Sequence, residues 1–237
     1  MAAIRLLPFV LADGATNMAA DEAMLESAAE FGLASLRFYT WSEPTISLGY
    51  FQPASAVSSI PGNLVRVRRS TGGAAIVHHH ELTYAVALPD AKLWRSGESW
   101  ICRFHHFVRD ALAEQDVESR TVLCGEEKLL GEVLCFLHQT AGDLLIRGSK
   151  IAGSAQRKRK GALLQHGSIL LARSPYAPVL AGIHDLIERE PFAEAWLAER
   201  LASRFDCEPG EWTAHERERI AAIRAEKYAN PEWNARR

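Results

Sequence analysis

The chain has 237 residues, 48% of them hydrophobic and 24% charged, a mix that describes a globular protein with a sizeable core and excludes collagenous, disordered and disulfide-stapled classes. Lys and Arg number 27 against 29 Asp and Glu, a formal net charge of -2, so no bulk field favours nucleic acid or an anionic membrane. Cys102, Cys124, Cys135 and Cys207 are irregularly spaced with no CxxC, as expected of thiols kept reduced in cytosol. The apolar opening from Met1 to Leu11 is cut short before Asp13 and cannot span about 30 Å of hydrocarbon as a helix. The expectation is a cytoplasmic protein.

Asn17 to Phe31 carries Met18, Leu25 and many alanines at helix-compatible spacing between Gly14 and Gly32, which predicts the first helix. Leu36, Phe38, Ile46 and Leu48 lie in short β-rich runs broken at Pro44 and Gly49, and Leu64, Val65 and Val67 alternate with Arg66 and Arg68 as in a half-buried strand. Leu82 to Leu88 is a further strand, ended by Pro89-Asp90. From Glu98, the set Ile101, Phe104, Val108 and Leu112 keeps helical spacing. Leu144 to Ile146 and Leu163 to Leu171 read as strands, and Ala181 to Ile187, Phe192 to Phe205 and His215 to Tyr228 read as helices. No long period repeats. The interleaved signals predict an α+β fold in one domain over residues 1–237, with a mixed, largely antiparallel sheet packed by helices. A helical C-terminal segment occupies about 178–237.

Arg68-Arg69-Ser70-Thr71-Gly72-Gly73 follows a predicted strand. Two glycines there let backbone N–H groups approach an anion that paired guanidiniums neutralise, or else form a tight turn with surface arginines. His78-His79-His80 alternate faces on extended backbone and do not converge on a metal without a sharp turn. His105 and His106 point about 100° apart on a helix, as surface or satisfied residues do. Lys150 stands between Gly148 and Gly153, where its ammonium can meet a ligand carbonyl or phosphate or simply cap a polar hairpin. Arg157-Lys158-Arg159-Lys160 reads as a solvated loop, or as a dock for an acidic partner. Cys135 sits among Val133, Leu134 and Phe136. Taken alone it is a small buried hydrophobe, and a catalytic reading requires a nearby cation to raise its thiolate fraction.

Taken in order, these pieces resemble the lipoate and biotin protein ligase superfamily: Asn17-Met18-Ala19 with Asp21-Glu22, Trp41 through Pro44 to Gly49 and Gln52, Arg68 to His78, Gly148 to Gln156, and Gln165-His166-Gly167-Ser168. The likeness covers most of residues 17–171 and implies that superfamily's catalytic-domain fold. Within it the chain is more similar to the cysteine-dependent octanoyltransferases than to the ATP-using lipoate ligases. Glu81-Leu82-Thr83-Tyr84 follows the histidines as in the transferase branch, and Cys135-Phe136 stands fifteen residues ahead of Lys150. Ala74 replaces the third glycine of the ligase signature. The chain departs from the family at His79, where an Asp is usual, and at Leu137-His138-Gln139-Thr140, where an aromatic and a Pro-Ser pair are usual; the loop conformation at Cys135 is left open.

The resemblance implies an acyltransferase that moves an octanoyl or lipoyl group from acyl-carrier protein through a Cys135 thioester to a lipoyl-domain lysine. The acceptor would be a domain such as that of the glycine cleavage H protein or a dehydrogenase E2. Lys150 would orient the acyl carbonyl and keep Cys135 anionic. Arg68, Arg69, Gly72, Gly73, His78, Gly153 and His166 would bind substrate, with no metal and no cofactor. One alternative is an ATP-dependent lipoate-protein ligase, which brings ATP and Mg with Lys150 bridging phosphate and carboxylate. Another is an amidotransferase working between carrier proteins, and a third is a non-catalytic module that binds carrier protein or lipoyl domain. Neither nucleic acid nor membrane is an expected partner.

Overall fold

Asp13 accepts a hydrogen bond from the Thr16 amide at 2.7 Å, and this cap starts the first helix at Gly14, three residues before the apolar spacing begins. Gly32, at φ 68°, closes it in the left-handed conformation that favours glycine. The computed structural model describes residues 3–90, 98–188 and 191–236.

In chain order, β1 (Ile4–Leu6) and β2 (Val10–Ala12) lead into α1 (Gly14–Phe31). Then come β3 (Ser35–Trp41), β4 (Thr45–Leu48), β5 (Val65–Arg68), β6 (Ile76–His78) and β7 (Glu81–Leu88). Helix α2 (Trp100–Ala113) precedes β8 (Arg120–Thr121), β9 (Lys128–Leu129), β10 (His138–Gln139), β11 (Leu144–Ile146), β12 (Ser149–Arg159) and β13 (Ala162–Leu170). The chain continues through α3 (Ile183–Leu186), α4 (Glu194–Ala202), β14 (Cys207–Pro209), α5 (Ala214–Ile223) and α6 (Pro231–Ala235).

The main sheet runs β14-β1-β3-β7-β13-β12-β11-β8, with β2 also on β3. Pairing is antiparallel from β3 through β8, while β14, β1 and β2 join in parallel. A smaller sheet, β5-β4-β6, stands apart, and β9 pairs with β10. The fold is α+β with a largely antiparallel sheet, as the sequence pattern predicts.

Side chains on the central strands alternate between two helical layers. Leu36, Phe38, Tyr84, Val86 and Leu88 pack with Phe104, Val108 and Leu112 of α2 and Leu197 and Leu201 of α4. Tyr39, Ala85, Ala87 and Leu164 pack with Met18, Ala19, Ala23 and Met24 of α1. Alanine on both partners lets α1 lie close to the sheet, and that closeness brings Asn17 and Asp21 against β3.

Five expectations are corrected. The C-terminal third is not wholly helical, because β14 pairs with the N-terminal β1. The predicted helix over 181–187 forms only at Ile183–Leu186, and that over 192–205 at Glu194–Ala202. The one over 215–228 starts at Ala214, capped by Thr213, and its last turn, Arg224–Tyr228, widens to a π-helix. The cations of 157–160 are not a solvated loop: Arg157 to Arg159 complete β12, where Arg157 donates to the Ser70 carbonyl at 2.9 Å and Arg159 pairs with Glu26 at 2.7 Å.

Candidate active site

A cavity of about 310 Å³ opens where β12 and β13 face the Arg69–Ala74 loop and the turn bearing Cys135. Its size is at the small end of ligand pockets. Cys135, Lys150, Gly153 and His166 line it beside Gly72 and Gly73, and Met18, Tyr39, Trp41 and Phe136 supply apolar wall.

Cys135 begins a single 3-10 turn, Cys135–Leu137. Its amide donates to the Ala75 carbonyl at 2.8 Å, and the Ala75 amide donates to the Val133 carbonyl at 3.0 Å, so the turn is laced to the glycine loop. Gln52 also donates to the Val133 carbonyl, at 3.2 Å. Lys150 completes the attachment from β12: its Nζ donates to the carbonyls of His138 at 2.8 Å and Cys135 at 3.3 Å and pairs with Asp143 at 2.7 Å. Lys150 and Asp143 side chains are each 3% exposed, so the pair is desolvated, with its geometry fixed by hydrogen bonds. Asp143 is oriented in turn by the Thr140 amide and hydroxyl. Gly153 makes room for the lysine, since a Cβ there would stand 2.6 Å from Lys150 Cε and 3.0 Å from Nζ.

The two arginines have different places. Arg68, expected at the mouth, is buried away from it and donates to the carbonyls of Gly49, Gln52 and Asn234. Arg69 does line the cavity. Its guanidinium donates to the carbonyls of Ser47, Gly72 and Ala74 at 2.7–2.9 Å, which shapes the loop. Neither arginine stands free as the anion clamp that the motif suggested. Burial pushes the Arg69 guanidinium below its ordinary value, and its charge interaction with Cys135 opposes that shift. A Cβ on Gly73, which adopts φ 93°, would lie 3.0 Å from Arg69 Nη2 and 4.0 Å from Cys135 Sγ. Gly49 is equally constrained, because its Cβ would meet the Gly73 carbonyl at 1.7 Å.

The sheet side of the cavity carries two buried polar networks. His166 Nδ1 donates to Asp21 at 2.8 Å, and its Nε2 lies 2.7 Å from the Thr71 hydroxyl. Asp21 also accepts from the Tyr39 hydroxyl and pairs with Arg37 at 3.2 Å, and Arg37 donates to the Asn17 side chain. Burial, together with the Asp21 charge, holds the Tyr39 hydroxyl well above its ordinary value, so it stays a donor. In the second network, His78 contacts Glu81 at 2.6 Å and Ser47 Oγ at 2.7 Å, and its ring stacks on Trp41. Burial alone would raise the Glu81 carboxyl, but His78 and the hydroxyls of Ser168 and Thr83 outweigh it and hold Glu81 below the ordinary range.

Cys135, Lys150, Arg69, Gly72, Gly73, His78, Gly153 and His166 therefore gather at one cavity, and Arg68 supports it from behind. The chain does bend after His78: the rings of His79 and His80 lie 3.7 Å apart outside the site, with His79 against Ser174. His105 is a satisfied buried residue, held by the Gly142 carbonyl and Ser154. Sequence reasoning passed over Asp143, although Ala141-Gly142-Asp143 carries a turn signal. It also passed over Asn234, whose side chain accepts from the Arg68 amide at 2.8 Å.

Residues 13–181 match the lipoyl protein ligase A/B catalytic domain, and the chain belongs to that family. It is 34% identical to the octanoyltransferase LipM of Kyrpidia tusciae, over 98% of each chain. In fold it is similar to a putative lipoate protein ligase of Thermoplasma acidophilum with bound lipoic acid, at a TM-score of 0.76 and 22% identity over 99% of both chains. It is likewise similar to a bipartite lipoate protein ligase from T. acidophilum, solved in a study of that ligase and its E2 lipoyl domain, at a TM-score of 0.71 and 22% identity over 98% of this chain and 96% of that one.

Proposed function

We propose that this cavity passes an octanoyl group through a thioester on Cys135 to the lysine of a lipoyl domain, with an acyl-carrier-protein thioester as donor. The chain is an acyltransferase of the octanoyltransferase type, acting in protein lipoylation, as its full-length likeness to LipM indicates. The observation that carries the finer reading is the placement of Cys135 in a cavity with apolar wall, its backbone held by Lys150 and its sulfur close to the Arg69 side of the loop.

In the first step the Cys135 sulfur attacks the donor carbonyl and the carrier thiol leaves. In the second the acceptor amine attacks the enzyme thioester and Cys135 leaves. Thioester exchange is nearly isoenergetic and the final amide is more stable, so the sequence of steps runs without ATP. The tail lies along Met18, Tyr39 and Trp41, each buried methylene contributing about 0.8 kcal/mol. Four free cysteines fit a reducing compartment, and the cytoplasm is the proposed place of action. No helix among the described residues is long and apolar enough to cross a membrane.

The test is an assay with octanoyl-carrier protein and a lipoyl domain, run with and without ATP. Octanoyl transfer that is equal in both arms supports the proposal. Consumption of free lipoate that depends on ATP would replace it with the ligase reading.

A further inference from the structure

We propose that His105 is a positioning residue for the transfer reaction: from α2 it holds, with its two ring nitrogens, the two chain segments that carry the Lys150–Asp143 pair. The inference deepens the acyl-enzyme reading above and rests on it. His105 is fully buried and lies behind the cavity rather than in its lining. Its Nδ1 stands 2.6 Å from the Gly142 carbonyl oxygen, and its Nε2 stands 2.8 Å from Ser154 Oγ. Gly142 immediately precedes Asp143, and Ser154 follows Lys150 on β12. One imidazole therefore touches both the turn that presents the carboxylate and the strand that presents the ammonium.

The hold on the turn acts through one peptide plane, gripped at both ends. The Gly142 carbonyl accepts from His105, and the Asp143 amide donates to the Thr140 carbonyl at 3.0 Å. Rotation of that plane would swing the Asp143 carboxylate, whose Oδ2 receives the Thr140 amide and hydroxyl as well as Lys150 Nζ. Gly142 adopts φ 91°, and a Cβ there would stand 2.9 Å from Cys102 Sγ, so α2 lies directly against the turn.

The protons of this arrangement have one consistent assignment. A carbonyl oxygen only accepts, so Nδ1 carries the hydrogen. Burial pushes the His105 imidazole below its ordinary value; the Gly142 bond and the Asp143 charge oppose that shift, and Lys150 and His106 add to it. The ring is then neutral at pH 7, and Nε2 accepts from the Ser154 hydroxyl. That donation uses the single Ser154 proton, so the Ser154 oxygen accepts from the Tyr84 hydroxyl, which burial keeps protonated. Tyr84 accepts in turn from Gln165 Nε2 at 2.7 Å, and Gln165 Oε1 accepts from Gln156 Nε2 at 2.8 Å. The row of donors runs from Gln156 on the cavity wall to Gly142 beside the clamp, and a network satisfied throughout is a rigid one.

The test compares three variants. His105→Phe keeps a ring and loses both bonds, His105→Asn places an amide nitrogen where Nδ1 stands, and His105→Gln places its amide where Nε2 stands. Steady-state octanoyl transfer, the rate at which acetic anhydride acetylates Lys150, read by mass spectrometry, and urea denaturation are measured for each. In His105→Phe, kcat is expected to fall about tenfold to a hundredfold with KM for octanoyl-carrier protein unchanged, and Lys150, 3% exposed in the wild type, is expected to acetylate faster. His105→Asn should restore most of the kcat and the protection of Lys150, and His105→Gln should not. Wild-type kcat in His105→Phe overturns the proposal. So does an Asn variant no better than Gln, or a loss that follows unfolding free energy alone across the three, because that marks a merely structural role. If the variants fail to fold, nitrogen-15 NMR of the wild-type imidazole decides: a neutral ring with hydrogen on Nδ1 supports the proposal, and an imidazolium or hydrogen on Nε2 of a neutral ring overturns it. If the wild-type enzyme never carries octanoyl on Cys135, the acyl-enzyme reading fails by itself, and the Lys150 acetylation rates still decide the role of His105.

Discussion

On the sheet side of the cavity, Tyr39, Thr83, His166 and Ser168 stand on strands of 7, 8 and 9 residues. Cys135 stands on a turn of 3 residues, next to two strands of 2 residues each. The strand wall is fixed by backbone ladders, with its polar side chains buried and paired among themselves. The turn wall has almost no ladder, and its position comes from Lys150, the Ala75 bridge and the carbonyl contacts of Arg69. On the proposed reading, substrate recognition is built on the rigid element, while the proposed nucleophile rides on a loop held by a few strong polar bonds.

The largest test of that contrast is Lys150→Met. Removal of the ammonium leaves Asp143 buried and unpaired, and the expected loss is about 3–5 kcal/mol of unfolding free energy, read by urea denaturation, together with octanoyl transfer. The double variant Lys150→Met with Asp143→Leu is expected to regain most of the stability and none of the activity, since a buried pair is replaceable by apolar side chains but the turn is then unclamped. Recovery of transfer in the double variant would show that the clamp is dispensable.

On the strand wall, Glu81→Gln is expected to cost about 1–3 kcal/mol, because the His78, Thr83 and Ser168 partners lose their anion. The sign of its pH dependence follows from the lowered carboxyl. Its contribution is present in full above the ordinary glutamate value of 4.5 and is lost as pH falls through the lower folded value. The wild-type enzyme should lose stability over that acid range more steeply than Glu81→Gln, as measured by unfolding at a series of pH values.

A smaller effect is expected behind the wall. Asn234→Ala removes the acceptor for the Arg68 amide, at about 0.5–1.5 kcal/mol, and thermal unfolding checks it. Transfer should change little, because Arg68 shapes the loop from outside the cavity.

The same contrast explains what was legible in the sequence. The strand wall was readable, since Leu36, Phe38, Leu82 and Leu88 announce their faces by alternation and α1 by its alanines. Gly72, Gly73, Gly153 and Lys150 were readable as a motif. The contacts of Lys150 were not, because its partners are main-chain carbonyls and Asp143, which leave no pattern in side-chain types. Arg68 was misplaced for a similar reason: its partners, Gly49, Gln52 and Asn234, are 16 to 166 residues away in sequence. The parallel join of β14 to β1 crosses nearly the whole chain, and 3-residue strands carry too little periodicity to announce it.

The central claim is that sulfur at position 135 carries the acyl group. Incubation of the wild-type enzyme with octanoyl-carrier protein, followed by digestion and mass spectrometry, tests it most directly. The account predicts one octanoyl mass on the peptide containing Cys135, removable by hydroxylamine and absent from Cys135→Ala. Octanoyl on Cys102, Cys124 or Cys207 instead, or full transfer by Cys135→Ala, would contradict it.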